Sequence, residues 1–328
     1  MTISIQVLAG DALEFEADVL ILKYAQGLYG VDQRAYIELA TSQKDLIREL
    51  PEPGRFLLLD TKGSLGVQQV LFTGVVNLVQ FRYREIRNFA FESLRHLASV
   101  KPDTQHISLT IHGVNYGLDE IESFESQVAG LLDAIRKGAY PPSLQKITIV
   151  EHYEPRAERL RQVLAQILSS GMPGVEEQPS LARRSIETDR LISNAGINSE
   201  QKPLIFVAMP FDRKMDDVYH YGIQNAVNRA GFLCERADMK SFTGDILELV
   251  KRRIKEATLV IADLTFSNPN VYLEVGYAWG LGVPTVLIAQ DSKELKFDVR
   301  GQKCIVYASI HELEEKLSEE LLGLKKKA

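Results

Sequence analysis

Leu204-Ile205-Phe206-Val207-Ala208, followed at once by Met209-Pro210-Phe211-Asp212, is the stretch on which the fold turns. An unbroken apolar run of five residues suits a strand covered on both faces, as in a parallel sheet flanked by helices. Downstream the pattern alternates. A helix is expected over 216–230, closed by Gly231 where a left-handed cap is common, then a short strand over 232–235. Thr243 can cap a helix over 245–256, whose acidic residues come early and whose Lys251, Arg252 and Arg253 come late, as the helix dipole favours. A strand over 258–262, a helix over 271–281, strands over 285–289 and 302–307 and a helix over 309–321 complete the pattern. Such alternation predicts a five-stranded, doubly wound parallel sheet with its ligand site beyond the carboxyl ends of the strands.

That rule selects four places. They are Met209 to Asp212 after the first strand, Arg236-Ala237-Asp238 after the second, Asp263-Leu264-Thr265 after the third, and the turn over 268–274 into the next helix. Asp263 falls where an apolar strand stops, and Asn270 can cap the helix that follows. Glu274 lies about one turn inside it, among Val271, Leu273, Val275 and Ala278. A carboxylate among apolar neighbours loses hydration, so its pKa is expected to rise. Gly276 permits close approach of a neighbouring element or ligand. Glu274 and Asp263 are therefore the candidate catalytic residues. The plain structural alternative has Asp263 capping a loop and Glu274 on a solvated face.

The first half alternates too. Strands are expected near 3–8, 19–22, 56–59, 69–73, 106–111 and 146–151, and helices near 34–40, 82–98, 121–137 and 155–168. Gly113-Val114-Asn115-Tyr116-Gly117 follows a strand and precedes a helix, the setting of an anion site at a helix N-terminus or of an ordinary turn. His112 beside it reads as a packing residue, and Phe81 and Phe89 as core. From Ser169 to Gln201 the rhythm fails: Gly, Pro and polar residues without apolar period read as a linker. The expected organisation is 1–168, a linker over 169–201, and 202–328.

Composition bounds the rest. The 328 residues are 45% hydrophobic, enough for two cores at roughly 100–200 residues per domain. The 38 Lys and Arg against 44 Asp and Glu give a formal charge of −6, which disfavours a dedicated polynucleotide binder but not a local nucleotide site. Cys234 and Cys304 form no CxxC pair, and the six histidines show no metal-ligand spacing, so no metal is expected. The chain opens on the alternating strand Ile3-Ser4-Ile5-Gln6-Val7, and no apolar run approaches membrane-spanning length. A cytoplasmic protein is expected, forming homo-oligomers, with small nucleotides as partners and neither membrane nor nucleic acid among them.

The residues of the second half resemble the nucleoside 2-deoxyribosyltransferase-like superfamily, in the branch that shades into bacterial TIR-like domains. The resemblance rests on Phe206 to Phe211, Asp217-Val218-Tyr219, Ile261 to Thr265, Asn268 to Ala278, Gly282-Val283-Pro284 and Phe297-Asp298-Val299-Arg300. It implies that Glu274 attacks or stabilises the anomeric carbon of an N-riboside, that Asp263 contacts base or sugar, and that Met209 and Phe211 wall the base pocket. Asp238, Asn268 and Asn270 are further candidate substrate contacts. Where the deoxyribosyltransferases carry another acidic residue shortly before the nucleophile, this chain has Asn268 and Asn270, which leaves hydrolysis or binding open in place of base exchange. In TIR relatives the substrate is NAD, and no separate cofactor is implied.

Leu8-Ala9-Gly10-Asp11-Ala12 followed by Ala17-Asp18-Val19-Leu20-Ile21 resembles the opening of a macro domain, or of the related aminopeptidase N-terminal domain. This implies that Asp11 contacts adenine. Where active macro domains keep an Asn, the loop reads Lys23-Tyr24-Ala25-Gln26, so ligand binding without ADP-ribosyl hydrolysis is expected. The combined expectation is an N-glycosidase, with NAD hydrolysis controlled by a nucleotide-binding first domain, as in a bacterial antiviral effector. The alternatives are a non-catalytic nucleotide sensor and a nucleoside or deoxynucleotide N-glycosidase of salvage.

Overall fold

A computed structural model describes residues 2–42, 50–168, 192–236, 246–291, 293 and 295–325. The chain divides into two compact α/β units, Met1–Val114 with Glu120–Ser199, and Asn115–Asp119 with Glu200–Ala328.

The first unit is built on a six-stranded mixed sheet. Its strands are β1 (Ser4–Ala9), β2 (Ala17–Tyr24), β3 (Phe56–Asp60), β4 (Val67–Gly74), β5 (His106–Leu109) and β6 (Lys146–Glu151), in the order β1-β6-β5-β2-β4-β3. Only β3 runs antiparallel. Helices α1 (Gly30–Ser42), α2 (Tyr83–Val100), α3 (Glu120–Arg136) and α4 (Glu154–Leu168) lie between the strands in sequence. Val19, Leu20, Ile21 and Leu22 are all fully buried, as an unbroken apolar run requires when both faces of a central strand are covered. Phe81 and Phe89 are core residues.

Part of the stretch read as linker is packed into this unit. Residues 169–191 lie outside the described residues, but Ile192, Ala195 and Ser199 are buried. Arg87, on the buried face of α2, supplies the reason. Its Nη1 donates to the carbonyls of Ile192 (3.4 Å), Ser193 (3.1 Å) and Ala195 (2.5 Å), and its charge is met by Asp133 at 2.7 Å. Gly196 sits at φ +75°, where a Cβ would stand 2.8 Å from that of Arg87.

The second unit is a five-stranded sheet, all parallel: β7 (Leu204–Ala208), β8 (Leu233–Glu235), β9 (Leu259–Asp263), β10 (Thr285–Ala289) and β11 (Cys304–Val306), in the order β11-β10-β9-β7-β8. The chain reverses direction across the sheet between β7 and β9, the switch point where an open α/β sheet presents its crevice. Helices α5 (Asn225–Arg229), α6 (Ile246–Glu256), α7 (Pro269–Gly280) and α8 (Ile310–Lys325) connect or close it. The single helix expected over 216–230 is a composite: a 3-10 turn at Arg213–Met215, a π-helix at Val218–Gln224, then α5. Gly231 caps it at φ +84°. Val207, Tyr219, Ile223, Ile261, Leu313 and Leu317 belong to one buried cluster beneath the sheet. No helix among the described residues is long and apolar enough to cross a membrane.

Candidate functional site

Asp263 ends β9 at the carboxyl edge, and it is fully buried. Its Oδ1 accepts from the Thr265 amide (3.0 Å) and hydroxyl (2.5 Å), and its Oδ2 accepts from the Tyr307 hydroxyl (2.7 Å). The Thr265 hydroxyl oxygen in turn accepts from the Gln290 amide at 3.2 Å. Burial pushes the Asp263 pKa up against these bonds, and burial with the Asp263 charge pushes the Tyr307 phenol up. The carboxylate is spent on tying β9 to the ends of β10 and β11. Among the described residues Asp263 has a positioning role: it fixes the loop that launches α7.

That loop turns sharply. Phe266 and Ser267 adopt left-handed backbone (φ +64° and +48°). Asn268 then caps α7, its Oδ1 accepting from the Asn270 amide at 2.9 Å, with Pro269 opening the helix. The cap is therefore Asn268, two residues earlier than expected, because Pro269 at the first helical position places it there. Asn270 is exposed.

Glu274 stands on one flank of α7. Val271, Val275 and Ala278 are buried beside it, whereas Leu273 is 61% exposed and belongs to the outer face. The Glu274 side chain is half-buried, and burial, with no charged or hydrogen-bonding partner contributing among the described residues, pushes its pKa up to about 7. Gly276 faces open space, so no close approach among the described residues explains it.

The ends of β7 and β8 gather a second group. Met209 is buried in the core, and Phe211 is 40% exposed. Arg236, the first residue after β8, reaches both: Nη1 lies 3.6 Å from the Met209 sulfur, and the guanidinium stands 6.0 Å from the Phe211 ring centroid. It also stacks over Tyr219 at 4.1 Å and approaches the Asp216 carboxylate at 3.7 Å. Tyr219 is set by the π-helix and donates its hydroxyl to the Cys234 carbonyl at 3.3 Å. Arg236 was not singled out as a site residue from sequence; its position just past a strand was the available signal. Asp238 lies outside the described residues. Among the described residues, no group of three or more His, Cys, Asp or Glu side chains is arranged to hold a metal ion.

In the first unit Asp11 follows β1. Its Oδ1 accepts from the Leu13 amide (3.0 Å) and its Oδ2 from Arg34 (2.7 Å). Burial pushes its pKa up, but these partners outweigh burial and hold it below the usual carboxylate value. Gly113 and Gly117 are left-handed (φ +90° and +87°) and flank a 3-10 turn over Val114–Tyr116, which contains Asn115. Helix α3 follows, but its N-terminus is no open anion site. Glu120 and Glu122 occupy its first turn, both buried, Glu120 paired with Arg156 (3.0 Å) and Arg159 (2.8 Å) and Glu122 bonded to Ser199. The positive end of the dipole is already met by the protein's own carboxylates. Residues 115–119 count with the second unit, where Asp119 accepts from the Cys234 amide at 2.8 Å. His112 is a packing residue, edge-on to Phe89 at 4.7 Å, and burial and the Lys23 charge hold its pKa well down. Lys23, near the end of β2, forms a buried ion pair with Asp32.

No protein-family model matches the chain, and no curated protein matches it. Among solved structures its N-terminal half is similar to macrodomains. The Trypanosoma brucei macrodomain in complex with ADP is 15% identical, with a TM-score of 0.40 over 49% of this chain and 68% of that one. A mutant Oceanobacillus iheyensis macrodomain with ADPR is 16% identical, with a TM-score of 0.37 over 50% and 93%. The Oceanobacillus iheyensis macrodomain with ADP is 18% identical, with a TM-score of 0.35 over 48% and 88%.

Proposed function

We propose that the second unit cleaves the N-glycosidic bond of a nucleotide, with NAD as the substrate to test first, and that the first unit binds a nucleotide. The observation that carries this reading is Glu274: a half-buried carboxyl on the helix that follows β9 of a doubly wound sheet, its pKa raised by burial to about 7, with no partner contributing among the described residues. In NAD the bond from ribose C1′ to the pyridinium nitrogen breaks. Its electron pair leaves with nicotinamide, which departs neutral. The ribosyl cation left behind is met by the Glu274 carboxylate, as an ion pair or a transient ester. Water then adds at C1′ and loses a proton, giving ADP-ribose. Asp263 and Tyr307 keep the α7 loop rigid, and Arg236 supplies a cation beside Phe211 for the phosphates.

A nucleotide receptor without catalysis is the second reading, favoured by the complete use of Asp263 within the protein. The test is release of nicotinamide from NAD by the full chain, with and without ADP-ribose, beside a Glu274→Gln variant. The expected result is release by the native chain and a loss of at least about a hundredfold in the variant. No release by either, with equal ADP-ribose binding by both, overturns the enzymatic reading in favour of the receptor. Release of base from deoxynucleosides with NAD untouched would assign salvage chemistry instead.

A further inference from the structure

We infer that the second unit carries an additional nucleotide site, separate from Glu274, in a basic and aromatic cavity formed by the loops after β9 and β10. The cavity has a volume of about 430 Å³, within the range of small-ligand pockets. Its walls include Phe266, Ser267, Lys293, Lys296, Phe297 and Arg300. Three cations thus line one hollow, on a stretch, 293–300, that also carries Glu294 and Asp298. The nearby Asp291 carboxylate is engaged with the Lys293 amide at 2.8 Å.

Two further features fit a nucleotide better than a bare anion. Phe297 is 85% exposed and Phe266 is 51% exposed, so two aromatic surfaces border the cations. A base stacks on an aromatic face while its phosphates meet Lys and Arg. The walls are also built in place. The left-handed backbone of Phe266 and Ser267 is a strained arrangement of the kind kept at ligand sites. Arg300 Nε donates to the Leu295 carbonyl at 2.8 Å, and the Lys296 amide donates to the Tyr272 hydroxyl at 3.1 Å.

That last bond locates the cavity on the Tyr272 flank of α7. Residues two apart on a helix point about 200° apart, so Glu274 looks the other way. The cavity volume suits a single small ligand, and the chain has no overall basic charge to follow a polymer, so a nucleoside diphosphate is the fitting class. This inference stands whether or not Glu274 breaks a bond.

Calorimetric titration of the full chain with ADP, with inorganic pyrophosphate and with a ten-residue oligothymidylate tests it. Lys293→Ala, Lys296→Ala and Arg300→Ala combined are expected to weaken ADP binding at this site about tenfold or more, while Arg229→Ala, an exposed cation outside the cavity lining, leaves it unchanged. Phe297→Ala is expected to reduce ADP affinity and leave pyrophosphate affinity as it was. Unchanged ADP and pyrophosphate binding in the triple variant overturns the site. Pyrophosphate binding as tightly as ADP overturns its nucleotide character, and oligothymidylate binding more tightly than ADP overturns the small-ligand assignment. All four side chains are exposed, so the variants are expected to retain the native melting temperature.

Discussion

Glu274 is a carboxyl held where its charge is costly, and this has two measurable consequences. Its folded pKa of about 7 lies above the ordinary 4.5, so between those values the folded chain keeps a proton that the unfolded chain has lost. Stability contributed by this group is therefore fully present below about pH 4.5 and declines as pH rises through 7. Glu274→Gln, which cannot ionise, should match the native chain at pH 4.5 and exceed it at pH 8 by roughly 1–3 kcal/mol, after allowance for partial exposure. Denaturant titration at the two pH values checks this; an equal or lower stability of the variant at pH 8 would show that the site does not penalise the charge. Glu274 was legible in the sequence because its apolar neighbours lie within one helical turn. Asp263 was legible as a strand end, but its role depends on Tyr307, far along the chain and outside any local pattern. Arg236 was legible only as part of the loop after the second strand of the unit, because Met209, Asp216 and Tyr219 meet it from separate elements.

Most strands and helices followed from apolar period and caps; the exceptions have long-range causes. Helix α7 begins at Pro269 under the Asn268 cap, and Asn268→Ala should cost about 1 kcal/mol of stability by equilibrium denaturation. A change below about 0.3 kcal/mol would mean that the cap does not anchor the helix carrying Glu274. The π-helix over Val218–Gln224 could not be read from period alone. At Gly222, within it, an added Cβ would lie 2.9 Å from Leu313 of α8, an approach set by the last helix of the chain. The Gly113–Gly117 loop lies between strand and helix as expected, and the position of Glu120 and Glu122 in the first turn of that helix was not part of the reading.

Across the whole molecule, two acidic α/β units were expected and two are present, but the stretch before the second is partly core. The stretch from Ser193 to Ser199 reads as polar and Gly-bearing, whereas Arg87 turns it into packed structure by donating to the carbonyls of Ser193 and Ala195. Arg87→Ala removes that partner and leaves Asp133 without its cation, so a loss of roughly 3 kcal/mol is expected on denaturation. A loss under about 0.5 kcal/mol would assign the segment to a loose connection instead. The net charge of −6 does not describe every local surface, since Lys293, Lys296 and Arg300 line one hollow of the second unit. The account's central claim is that Glu274 acts as a carboxylate on an N-glycosidic bond. Its most direct test is the pH dependence of nicotinamide release from NAD by the full chain, supplied with ADP-ribose, alongside Glu274→Gln. The predicted result is a rate that rises through about pH 7 and is abolished by the substitution. A rate independent of pH between about 5 and 9, retained in Glu274→Gln, would contradict it.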